Sequence, residues 1–194
     1  TVAEADEYDR SFHWLRPWIA IITSADPDHL DIYGTEEAYR ESFEKFTSLI
    51  RPHGLLIVKK DAPVTPQADD TVTVMTYGVE EGDYHAENIR VGDGTILFDF
   101  VSHDRKITGI SLGVPVRINI ENAVAAIAAA TKCGVTDEEV RHAMHTFGGA
   151  RRRFDFHIKA RNIVFIDDYA HHPQELSAAI HSVRALYPDR KVTG

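Results

Sequence analysis

Apolar residues follow two rhythms along this chain. The first is the short unbroken run, seen at Ile19-Ala20-Ile21-Ile22-Thr23 and again at Leu55 to Val58. Runs of this length, rich in β-branched residues, predict strands buried on both faces, as in a parallel sheet. The second rhythm lies between them: Tyr39, Phe43, Phe46 and Ile50 recur at helical spacing. Thr35 is placed to cap that helix, Glu36 and Glu37 suit its dipole, and Pro52-His53-Gly54 ends it. Strand, helix, strand predicts a parallel, right-handed crossover. After a loop rich in Pro and Asp, Thr71 to Tyr77 is a further strand.

The pattern then changes. Tyr84 to Val91, Thr95 to Ser102 and Ile107 to Leu112, with Gly92-Asp93-Gly94 between the first two, predict an antiparallel meander, expected as a subsheet at the domain edge. Ile120 to Lys132 is Ala-rich and helical, closed by Gly134. Thr136 and Glu139 form a capping box for the next helix, whose expected buried face is Val140, Ala143, Met144 and Phe147. Gly148-Gly149 ends it, and a change of unit is expected near Ala150. Phe154 to Lys159 and Ile163 to Ile166 read as strands. A helix follows from about Gln174 to Leu186, with Pro173 suited to its first position. The fold class is therefore α/β: a mostly parallel sheet flanked by helices, with an antiparallel edge subsheet, over residues 1–150, and a second unit beginning at 151–194.

Composition narrows the function. A hydrophobic share of 43% over 194 residues allows a sizeable core, and a net charge of −9 argues against a general nucleic-acid or anionic-membrane surface. Cys133 is the single cysteine, so no internal disulfide forms and a reducing cytoplasm is the natural setting. No apolar run approaches a membrane span and no signal peptide is visible. Thr1-Val2-Ala3 reads as the tail of a strand and Lys191 to Gly194 as the start of one, so a longer protein is expected.

Four stretches can carry chemistry. Glu4 follows an apolar strand end. Asp28, His29 and Asp31 sit just past the Ile19 strand, at the sheet edge where open α/β folds bind ligands. Asp167-Asp168-Tyr169-Ala170-His171-His172-Pro173 is a second Asp/His turn between strand and helix. Arg151-Arg152-Arg153 supplies guanidinium groups suited to phosphate. A magnesium ion held by Glu4 and His29 would bridge phosphate oxygens. The competing readings are solvated acidic turns and a solvated basic hinge. A metal-dependent hydrolase draws on the same Asp/His set.

The ordered set AEADEYD, TSADPDHLDIYG, INIENAVAA, ARRRFD and DDYAHHP resembles the Mur ligases of peptidoglycan synthesis along essentially the whole chain. The resemblance implies a central ATPase domain over 1–150 and the start of a Rossmann-like C-terminal domain over 151–194. It implies ATP and Mg2+ as cofactors, UDP-N-acetylmuramate and L-alanine as substrates, and a bacterial cytoplasmic setting. By matching motif, Glu4 and His29 are expected as magnesium ligands. Asn119 and Asn122 are expected at the adenine, whose edge suits an amide. Arg153 and Asp168 are expected at the nucleotide, and His171 and His172 at the substrate end of the cleft, as catalytic residues. The family's Gly-rich phosphate loop is not in the sequence and would precede Thr1. Without it, this chain alone is expected to bind ATP poorly and not turn over. Ile118 stands where a histidine usually precedes the first asparagine. Phe43 stands where several relatives carry a carbamylated lysine, the pattern of the alanine-adding branch. The nearest rival within the family is the recycling ligase that attaches a murein tripeptide.

Overall fold

The computed structural model describes residues 1–92, 94–170 and 173–194. Asp93 of the meander and the two expected catalytic histidines, His171 and His172, lie outside the described residues. The chain divides into two compact units, Thr1–Tyr84 and His85–Gly194. Its class is α/β, with a three-stranded parallel sheet and two antiparallel sheets among the described residues.

In the first unit a 3₁₀ turn, Ser11–Trp14, leads into β1 (Ile19–Ile22), the single-turn helix α1 (Leu30–Tyr33), α2 (Glu36–Thr47), β2 (Leu55–Lys59) and β3 (Thr73–Tyr77). The strands pair in parallel in the order β1-β2-β3, with Ile19 opposite Leu55 and Leu55 opposite Thr73. β2 is central, and Leu55 to Val58 are all buried, as an unbroken apolar run requires. β1 departs from that expectation: Ala20 and Ile22 are buried, but Ile21 is exposed and lines a cavity. The Thr35 hydroxyl accepts the Ala38 N–H and starts α2. Tyr39, Phe43, Phe46 and Ile50 are all buried, so the helical spacing named the core correctly. Phe12 completes it, with ring centroids 5.4 Å from Phe43 and 5.0 Å from Phe46. Removing these rings from water is the main force holding helix to sheet.

In the second unit β4 (His85–Gly92), β5 (Thr95–Val101) and β6 (Lys106–Ser111) form the meander as a sheet of their own, in the order β4-β5-β6. Its buried side, Ile96, Phe98, Phe100, Ile107 and Ile110, shares a core with Ile120, Val124 and Ile127 of α3 (Arg117–Lys132). The capping box of α4 (Asp137–Thr146) is present in full. Its expected buried face is corrected: Val140 is buried, Met144 half-buried, and Ala143 and Phe147 are exposed. The helix meets β6 along a narrow stripe, where Arg141 Nε donates to the Thr108 carbonyl, so few of its positions are covered. β7 (Asp155–Lys159) and β8 (Val164–Asp167) pair antiparallel, and α5 (Pro173–Leu186) follows. Leu186 and Tyr187 are buried at its end. A side chain at Gly94, where φ is +69°, would stand 2.7 Å from the Tyr187 oxygen.

Candidate functional site

The first unit carries an acidic cavity just past the carboxyl end of β1. It measures about 390 Å³, and its lining includes Glu7, Ile21, Asp26, Asp28, Tyr39 and Phe43. Two local bonds shape the turn: Ser24 Oγ donates to Asp26 Oδ2 at 2.8 Å, and the His29 N–H donates to Asp28 Oδ1 at 2.7 Å. His29 itself holds a left-handed backbone, with φ of 52°. Such a conformation is uncommon outside glycine and marks a position the surroundings enforce. The His29 ring meets the Tyr8 ring edge-on at 4.9 Å, and the Tyr33 hydroxyl donates to the Glu7 carbonyl at 2.5 Å. These contacts tie the acidic segment 6–9 to the His29 turn.

The ring nitrogens of His29 lie 3.7 Å from Glu7 Oε1 and 3.7 Å from Asp28 Oδ1. Glu4, the expected partner, is exposed, and the structure does not pair it with His29. Glu7, not Glu4, is the acid of this segment beside His29. Nothing in the local pattern separates it from Asp6 or Asp9; only the fold turns it toward the cavity. Burial pushes the Tyr39 phenol well up, and the charges of Glu7 and Asp28 push it further. The cavity therefore has a negative potential. Oxygen donors and negative potential fit a hard cation such as magnesium. Among the described residues no three His, Cys, Asp or Glu side chains are gathered closely enough to hold one alone. The donor set suits an ion that takes one or two carboxylates here and completes its shell with ligand or water oxygens.

The second unit holds the other expected residues. Asn119 lies in the first turn of α3, its amide nitrogen donating to the Val114 carbonyl at 3.1 Å, and Asn122 follows one turn on, 3.5 Å from it. Ile118 beside them is 57% exposed, too open to belong to the core. The Val114 side chain packs over Gly149, where φ is +84° and a Cβ would come within 2.7 Å of it. Glycine is thus needed there twice over, for its dihedral and for the close approach. This contact joins the Asn119 turn to the foot of the arginine run.

That run is an arch. Arg152 and Phe154 both have left-handed backbones, with φ of 59° and 52°, and Arg153 stands exposed between them. Asp168 holds the arch: its Oδ2 accepts the Phe154 N–H at 2.7 Å and its Oδ1 accepts the Ala170 N–H at 2.8 Å. The Tyr169 N–H donates to the Arg152 carbonyl at 2.8 Å, and the Arg152 guanidinium lies over the Tyr169 ring at 4.5 Å. Arg153 and Asp168 are thereby brought into one loop pair, as are Asn119 and Asn122 on α3. The tyrosine clasp was not foreseen, because an aromatic after two aspartates carries no pairing signal of its own.

Comparison with known proteins gives the family. Residues 2–130 match the Mur ligase middle domain, and residues 152–194 match the domain described as Mur ligase, glutamate ligase domain. The UDP-N-acetylmuramate–L-alanine ligase of Parabacteroides distasonis is 62% identical over all of this chain, and that of Phocaeicola vulgatus is 59% identical over 99% of it. The chain spans 42% of the length of each. The crystal structure of the UDP-N-acetylmuramate–alanine ligase of Thermotoga maritima superposes with a TM-score of 0.82 at 29% identity, covering 96% of this chain and 43% of that one. The chain belongs to the Mur ligase family.

Proposed function

We propose that this chain is the middle domain and the start of the C-terminal domain of an ATP-dependent ligase that joins L-alanine to UDP-N-acetylmuramate in peptidoglycan precursor synthesis. The observation that carries this reading is the 62% identity, over all of this chain, to a ligase of that name. The setting is the bacterial cytoplasm, where the nucleotide substrates are made. A functional boundary near Ala150 belongs to this reading, supported by matched segments that end at residue 130 and begin at residue 152.

The chemistry follows from the substrates. A carboxylate is a poor acyl donor, so its oxygen first takes the γ-phosphoryl group of ATP. The alanine amine then attacks the acyl carbon, and phosphate leaves with the former carboxylate oxygen. Magnesium, when bound, supplies charge shielding for the phosphoryl oxygens. His29, with Glu7 and Asp28 beside it, would hold the cation, and Glu4 would join from the exposed segment before it. Asn119 and Asn122 present donor and acceptor groups for an adenine edge. Arg153 offers its guanidinium to phosphate. Asp168 keeps lone pairs beyond its two backbone bonds, so it can accept from a ribose hydroxyl while it holds the arch. His171 and His172 are assigned to the substrate end of the site.

The test is phosphate release by the full-length protein carrying this sequence. Release requires ATP, UDP-N-acetylmuramate, L-alanine and magnesium together, and His29→Ala lowers it roughly a hundredfold or more, the scale of a lost charge-stabilising group. Release without the sugar nucleotide would point to a hydrolase. Turnover indifferent to L-alanine but supported by a murein tripeptide would point to the recycling ligase.

A further inference from the structure

We propose that Arg152 and Tyr169 form a cation–π clasp whose task is to position Arg153 for the nucleotide phosphates. This rests on the reading of Arg153 as a nucleotide contact. Three observations carry it. Arg153 is a single exposed residue between two left-handed, non-glycine positions, Arg152 and Phe154. Each such position costs free energy, so the arch persists only where other contacts hold it. The holding contacts come from both sides. Phe154 is buried and its N–H is bound by Asp168. Arg152 is exposed, and three contacts hold it: its N–H donates to Asp155 Oδ2 at 3.4 Å, its carbonyl accepts the Tyr169 N–H, and its guanidinium rests on the Tyr169 ring.

The division of labour within the triplet follows. The Arg152 guanidinium lies over the tyrosine face, while Arg153 stands exposed between the two left-handed positions and Arg151, also exposed, precedes them. A planar fork must be aimed to bind phosphate through two hydrogen bonds, and a shift of the backbone beneath it would spoil the aim. Arg152 and Tyr169 are therefore positioning residues, which act through Arg153.

The experiment uses the full-length protein and reads ADP affinity by calorimetry, with steady-state KM for ATP and for L-alanine alongside. Tyr169→Leu removes the ring and is expected to weaken ADP binding and raise the ATP KM by roughly three- to tenfold, the scale of one cation–π contact. The L-alanine KM and the unfolding midpoint stay close to the parent. Tyr169→Phe keeps the ring face and restores nucleotide affinity to within about twofold, since the face carries the interaction. Arg153→Ala is the control for the underlying reading and weakens ADP binding more than Tyr169→Leu does. If Arg153→Ala weakens binding while Tyr169→Leu does not, the clasp is overturned and the nucleotide role of Arg153 stands. If Arg153→Ala leaves binding unchanged, both fall. A rise confined to the L-alanine KM in Tyr169→Leu assigns the ring to the amino-acid pocket and also overturns the clasp.

Discussion

Two turns in this chain share a vocabulary of aspartate, histidine and proline, yet their carboxylates do different work. In the first, the Asp26 and Asp28 carboxylates accept from the Ser24 hydroxyl and the His29 N–H, one or two residues away, and both residues line the cavity. In the second, Asp168 reaches across 14 residues to the Phe154 N–H and fastens two loops together. A carboxylate with local bonds leaves its field available to a ligand, and one with distant bonds becomes part of the frame. Composition does not separate the two cases, because the difference lies in which backbone the fold carries past each side chain.

The largest expected effect breaks the comparison at its base. The acidic turn rests on the aromatic core of the first unit, and Phe46 is buried there against Phe12. Phe46→Ala should cost about 3–5 kcal/mol, the lost transfer free energy plus the cavity left behind. Trp14 and Trp18, the tryptophans of these 194 residues, lie in this unit, so the fluorescence midpoint of the 194-residue chain in urea reports on it. A cost under about 1 kcal/mol would show that the site collapses around the gap and that the ring cluster does not support the turn.

The next effect sharpens the contrast between the turns directly. Asp168→Asn loses a carboxylate oxygen that accepts a main-chain N–H, and an amide nitrogen in its place faces a donor. The expected cost is about 1–3 kcal/mol, with faster hydrogen exchange at the Phe154 amide. Asp28→Asn keeps an acceptor for the neighbouring His29 N–H, so its cost should stay within about 0.5 kcal/mol. Equal costs at the two positions would erase the distinction between frame and field.

How much of this was legible in the sequence depended on the distance over which each feature is decided. The α2 face Tyr39, Phe43, Phe46 and Ile50 and the Thr136–Glu139 box are set by spacing within one helix, and both were read correctly. The α4 face was misread at Ala143 and Phe147 because burial there depends on how much of β6 the helix covers. At the site, the His29 turn stood out as chemistry by its residue types. Glu7 did not, because three other acids surround it in Asp6, Asp9 and Glu4, and its approach to His29 is set by the fold. The Arg152–Tyr169 contact joins positions from two loops and carries no pattern along the chain.

The smallest effect at neutral pH is also the most direct measure of the field in the first turn. Tyr39 is buried beside the cavity, and its phenol is raised first by that burial and then by the charges of Glu7 and Asp28. The folded state therefore holds this proton more tightly than the unfolded chain, whose value is 10.0. The resulting stability is fully present below that pH. It is lost as pH rises through the folded pKa, because the unfolded chain sheds its proton first. Tyr39→Phe should leave stability nearly unchanged at neutral pH and flatten its alkaline fall. Burial raises the Tyr187 phenol as well, so spectrophotometric titration should show late-ionising phenols, of which the Tyr39 one vanishes in this variant. Glu7→Gln and Asp28→Asn should each move that group partway back toward its ordinary value, and added magnesium should do the same if the cavity holds the cation. A phenol indifferent to all three would mean that burial alone sets it, and that the carboxylates of the first turn exert no more field on the cavity than Asp168 leaves over from its frame.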